Sequence, residues 1–152
     1  MTETEDIVNE ATTGTPKLPV VASILALLGL ADAVYLTVHH FTAEPVPCGI
    51  TGGCETVLTS QWATLFGVPI AAFGALAYFV AFSFAILTVF GNRAMWILFG
   101  IQAFIMAAVS GYLLYLQGAV IGAFCQFCLV SAATSISLFI VFVISKFTGR
   151  SK

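Results

Sequence analysis

Four cysteines fall into two pairs, Cys48 with Cys54 in "VPCGITGGCETV" and Cys125 with Cys128 in "GAFCQFCLVS". Thiols so spaced can bind a metal, staple a segment or exchange a disulfide. Zinc sites usually place two to four residues between paired ligands, fewer than the C-x5-C pair has. His39 and His40, the two histidines, are the side chains left to complete such a site, and a histidine at a helix end is more often simply solvated. A staple would suit the first pair, whose loop carries Gly49, Gly52 and Gly53. Across one helical turn, however, a staple removes little chain entropy, so Cys125 and Cys128 are poorly explained as structure. Redox exchange is the third reading. Two thiols one turn apart at a helix N-terminus meet exposed N–H groups and the positive end of the dipole, which favour a thiolate. The thiolate is the attacking species in disulfide exchange. The spacing therefore favours redox chemistry, with no metal expected.

The elements that position these thiols are set by hydropathy. The chain is 60% hydrophobic and 8% charged, against roughly 25% charged in soluble domains, and its mean hydropathy is +1.06. It reads as an all-α integral membrane protein in one unit. A net charge of −2 and no basic stripe exclude a nucleic-acid footprint. Residues 1–16 are acidic and Thr-rich, which predicts a disordered tail and not a signal peptide, since the basic n-region is missing. Four apolar stretches reach the roughly 20 residues that span a bilayer, over about residues 18–41, 66–90, 94–116 and 123–145. Each must be helical to satisfy its backbone in lipid. The expected layout is a four-helix domain over residues 17–148 and a short tail over 149–152, with a cap between the first two helices. Gly91, Asn92 and Arg93 force the middle pair into a tight hairpin.

Lys17, Arg93, Lys146, Arg150 and Lys152 all fall on one side of a four-span topology, while residues 42–65 and 117–122 carry no Lys or Arg. The positive-inside rule then predicts cytoplasmic termini in a multi-pass cell-membrane protein. All four cysteines come to the outer face, where disulfides persist.

At this point the chain resembles the vitamin K epoxide reductase family, particularly its short prokaryotic members. The residues that carry the resemblance are Cys48, Cys54, Ser60, Trp62, Gly67, Pro69, Gly74 and Tyr78, then Cys125 and Cys128, with Tyr35 in "ADAVYL" of the first helix. It covers about residues 20–140. The bacterial quinone-linked disulfide oxidase also has four helices and four cysteines, but its C-x-x-C lies in the first outer loop, the reverse of the order here.

The resemblance implies a four-helix bundle around a quinone, ubiquinone or menaquinone, capped by the first loop. It implies that Cys128 faces the quinone, that Cys125 is its partner and that Cys54 relays electrons to Cys125. Cys48 would exchange with a thioredoxin-like extracytoplasmic protein, and Ser60 would assist near the loop pair. Some relatives carry a fused thioredoxin domain; this sequence ends soon after the fourth helix, so the partner is expected in trans. The animal enzymes carry a Tyr four residues after the second C-x-x-C cysteine, where this chain has Ala132, and an Asn before an "FG", where it has Ile70 and Ala71. Both departures point away from epoxide reduction.

Asp32, the one acidic residue inside a predicted span, is a functional candidate by default. It is either a proton route for quinone reduction or a protonated packing residue. Tyr35 and Tyr112 are candidate quinone contacts, although interfacial tyrosines such as Tyr112 and Tyr115 more often anchor a helix at the headgroups. Trp62 is expected to anchor the loop in the same way, and Glu55 to open a short amphipathic helix through Ser60. The expected function is quinone-dependent thiol oxidation for disulfide formation outside the cytoplasm. The rivals are vitamin K quinone or epoxide reduction and a non-enzymatic membrane protein with a stapled loop.

Overall fold

The structure, a computed structural model, describes the backbone of residues 17–150 and the side chains of residues 17–148. The tail expected over residues 1–16 lies outside the described residues, as do the last two residues of the chain. Four long helices make up most of the fold: α1 (Lys17–Thr42), α3 (Ile70–Val89), α4 (Arg93–Tyr115) and α5 (Gln126–Arg150). Between α1 and α3 come a loop, the short helix α2 (Cys54–Leu58) and a two-stranded hairpin of β1 (Thr64–Leu65) and β2 (Val68–Pro69). The expected four-helix membrane bundle with a helical cap is therefore what the chain forms. The four helices are long and apolar enough to cross a membrane, and the protein is a multi-pass membrane protein.

Where side chains are small, the helices meet. Ala22, Ala26, Gly29, Ala33 and Leu36 recur at helical spacing on α1 and are buried, and Tyr78, Ala81 and Ala85 answer them on α3. Lipid tails are as apolar as the core, so close packing rather than water exclusion drives such contacts. At Gly29 the ring of Tyr78 lies where a β-carbon would stand. On the other side, Phe99 stacks on Trp96 at 4.7 Å, and the Trp96 indole N–H donates to Ser145 Oγ at 2.7 Å, joining α4 to α5. Large apolar side chains such as Leu28, Leu76, Phe104 and Ile140 point outward, as a lipid-facing surface requires. The alternating helix directions bring Lys17, Arg93 and Lys146 to one end and all four cysteines to the other.

Five boundaries differ from the sequence reading. The second span begins at Ile70, not Phe66, because Phe66 and Gly67 turn with φ of 53° and 80° and Leu65 pairs with Val68. Two consecutive positive φ values make a primed hairpin turn, which no helix can contain. The third helix continues past Tyr115 as a π-helical turn, Leu116–Ile121, that ends at left-handed Gly122. The fourth helix begins at Gln126 rather than Ala123 and continues through Arg150. The short cap helix ends at Leu58, two residues before Ser60.

Candidate active site

The start of α5 fixes the C-x-x-C pair. Gln117, buried in the π turn, accepts the backbone N–H of Ala123 on its carbonyl at 3.1 Å. Its side-chain Oε1 accepts that of Cys125 at 3.1 Å. Cys125 in turn accepts the N–H of Leu129 at 3.0 Å, the first helical bond of α5, so Cys125 is the N-cap residue. An N-cap side chain faces the free N–H groups two and three residues on. For Cys125 those belong to Phe127 and Cys128. The Cys128 thiol, and then these backbone N–H groups, hold the Cys125 thiol down to about 7 against the opposing effect of burial.

The cap brings the other pair against this helix start. Cys48 and Cys54 are joined in a disulfide with α-carbons 5.8 Å apart, whereas Cys125 and Cys128 are free thiols. Cys54 and Cys125 are both 0% exposed and share one buried cluster with Val57. Two features seat the loop there. A β-carbon on Gly53 would stand 2.6 Å from the Phe124 carbonyl oxygen, so only glycine lets the loop approach α5 this closely. Three residues earlier, the Ile50 N–H donates to Gln126 Oε1 at 3.0 Å. Cys48 remains part-exposed, with its Sγ 3.3 Å from Thr51 Oγ1, so the loop disulfide presents one sulfur outward and one inward.

Beneath the cap is a cavity of about 310 Å³ between all four long helices. Its wall is mostly aliphatic and aromatic, with polar groups from His40, Ser60, Tyr78, Gln102, Ser110 and Ser131. Cys128 lines it and Cys125 does not. Tyr78 donates to the Ser131 carbonyl and its hydroxyl lies 3.1 Å from Ser131 Oγ. Ser60 lines the cavity as well, donating to the Val57 carbonyl at 2.7 Å. Such a cavity, apolar with a few convergent polar groups, is the form a small-molecule site takes.

Tyr35 and Tyr112 lie elsewhere. Tyr35 is packed between His39, at 4.3 Å between ring centroids, and Phe127, at 5.3 Å, and is not among the lining residues. Tyr112 is 56% exposed on the outer side of α4. Trp62 lines the cavity while remaining 40% exposed. Sequence reasoning missed Gln117 and Gln126, which position the thiols. The signal for Gln126 was present, because it stands between the two cysteines of "CQFC". That for Gln117 was not, since its role depends on a π turn.

The sequence matches the vitamin K epoxide reductase family over residues 20–143, a stretch that holds the four helices' central portions, the cap and every cysteine. The chain belongs to that family. It is also similar to the thiol-disulfide oxidoreductase LTO1 of Arabidopsis thaliana, at 37% identity over 124 residues, covering 75% of this chain and 33% of that protein. The chain thus spans about a third of that relative's length.

Proposed function

We propose that the protein oxidises thiols at the expense of a membrane quinone, and so supplies disulfides to a thioredoxin-like protein outside the cytoplasm. The observation that carries this is the division of the four sulfurs. Cys48 is accessible from outside, Cys54 and Cys125 share one buried cluster, and Cys128 opens on the cavity. The gathering of Lys17, Arg93 and Lys146 at the opposite end supports cytoplasmic termini and an outward-facing cap.

A thiolate of the reduced partner attacks Cys48, breaking its bond to Cys54, and the partner's second thiol completes the transfer. Cys54 then attacks Cys125 in the Cys125–Cys128 disulfide, the form in which oxidation by quinone leaves that pair, and displaces Cys128 as a thiolate on the cavity wall. Cys48 resolves the Cys54–Cys125 bond, which leaves the loop oxidised and Cys125 and Cys128 reduced. Stabilising the Cys125 thiolate favours the reduced pair and makes its disulfide the stronger oxidant, which drives exchange in this direction. A bound quinone supplies a two-electron sink; the chain's own contribution is to hold Cys128 at the wall and keep Cys125 beyond it. Ser60, two residues beyond the cap helix and on the same wall, ties the cap to the cavity through its bond to the Val57 carbonyl. Ala132, Ile70 and Ala71 also line the wall, which favours a quinone over an epoxide, since none of them offers a side-chain donor.

The test is quinone reduction by purified protein in lipid nanodiscs, driven by a reduced thioredoxin-like protein or by dithiothreitol. Turnover should be found in wild type and lost in Cys128→Ala. Thiol-dependent quinone reduction that survived Cys128→Ala would overturn the mechanism, and robust epoxide turnover would overturn the choice of acceptor.

A further inference from the structure

Among the described residues, two buried side-chain polar atoms have no hydrogen-bond partner: Asp32 Oδ2 and His39 Nδ1. Both belong to α1, and a spacing of seven residues puts them on one face, two turns apart. Tyr35 lies between them on that face and packs against His39, the rings tilted at 55°. Buried polar groups are rarely left unpaired, and an acidic residue inside a span marks a functional position. Asp32 is the one acidic residue within the four described spans. It stands one turn beyond Gly29, on which the Tyr78 ring rests, and within electrostatic reach of Tyr78, Cys125 and Cys128. Tyr78 in turn joins Ser131 on the cavity wall.

We propose that Asp32 supplies a proton to the quinone through the Tyr78–Ser131 hydroxyl pair and is recharged along the α1 face that carries Tyr35 and His39. The inference rests on the quinone-reducing function proposed above. Oxidation of the reduced pair sends two electrons to the acceptor, which must also gain two protons. With Cys125 as thiolate and Cys128 as thiol, the pair holds one proton. The second comes from the Asp32 carboxyl: the sulfur–sulfur bond forms, hydroquinone leaves, and Asp32 is left ionised until a proton arrives from the outer face. An ionised carboxylate without a partner is costly in apolar surroundings, so the group returns to its protonated form between turnovers. The titratable groups facing Asp32 are Tyr35 and His39 on its own helix, Tyr78 from α3, and Cys128 with the preceding Cys125 from α5. Lys146 lies at the far end of α5.

The decisive experiment separates the two half-reactions in nanodiscs by stopped flow, using a short-chain ubiquinone as acceptor. In Asp32→Asn, oxidation of the pre-reduced protein by this quinone should slow at least tenfold, recover partly as pH is lowered, and show an enlarged solvent deuterium isotope effect. Dithiothreitol reduction of Cys48–Cys54 should proceed at the wild-type rate, and Asp32→Glu should restore the quinone step. Tyr78→Phe, which keeps the ring on Gly29, should reproduce the selective loss and serves as the test should Asp32→Asn not assemble. A quinone step unchanged in Asp32→Asn or in Tyr78→Phe overturns the proposal. So does an equal slowing of both half-reactions together with a lower melting temperature, the mark of a packing role. Wild-type protein that fails to reduce the quinone overturns the function itself, whereas a wild-type step matched by Asp32→Asn overturns this inference alone.

Discussion

A cysteine at an N-cap behaves differently from one inside a helix, and Cys125 and Cys128 are separated by that boundary. Cys125 faces the free N–H groups of Phe127 and Cys128, which lower its pKa along with the Cys128 thiol. With the loop cysteines removed by Cys48→Ser and Cys54→Ser, the ultraviolet absorbance of the thiolate should appear with a midpoint near pH 7. Below that pH the thiolate is protonated, and re-formation of the Cys125–Cys128 disulfide by quinone slows. Cys128→Ala deletes the largest stabilising contact, so the midpoint should rise toward the ~8.5 of a free thiol. An unmoved midpoint would mean that the helix N–H groups act alone. The chemistry of the pair was legible in "CQFC" because two thiols three residues apart on a helix must share a face. Which thiol is the helix cap was not legible, because hydropathy continues unbroken from Ala123 into the helix. The start is set instead by hydrogen bonds from Gln117.

The same limit applies to elements. Hydropathy located four spans, since about 20 apolar residues in lipid have few alternatives. It merged Phe66 to Pro69 with the second span because an apolar hairpin and an apolar helix start have similar compositions. The deciding fact, two left-handed residues in succession, is a backbone property that glycine hints at and phenylalanine conceals. The cap's seat on α5 was likewise invisible, because Ile50 and Gln126 are 76 residues apart in sequence. Its contribution is open to measurement. In a Cys48→Ala, Cys128→Ala background the remaining cysteines, Cys54 and Cys125, can form one disulfide, whose stability in a glutathione buffer reports how often the cap is seated. Gln126→Met, which removes the acceptor at similar size, should lower that equilibrium constant about threefold to tenfold, the usual worth of one hydrogen bond. Gln126→Glu keeps an acceptor oxygen and should restore it.

Across the whole molecule, small residues along α1 set how closely α3 can lie, and so set the width of the cavity that Ala33, Leu36 and Tyr78 help to line. Gly29→Ala puts a methyl group into the Tyr78 ring and should cost about 1–3 kcal/mol, as overpacking does, read as a lower melting temperature in detergent. It should also slow quinone turnover by displacing the tyrosine hydroxyl, while dithiothreitol reduction of the loop disulfide is spared. The placement of the four sulfurs has a steady-state consequence. Cys128 opens on the cavity, Cys48 on the outer face, and the two are connected only through sulfurs that are fully enclosed. Neither substrate therefore needs the other to be present when it reacts. Initial rates measured against quinone at several fixed concentrations of reduced partner should give parallel double-reciprocal lines, the mark of ping-pong kinetics, with no crossing point for a ternary complex. The enzyme would behave as an insulated two-terminal conductor, oxidising a partner that its quinone never meets.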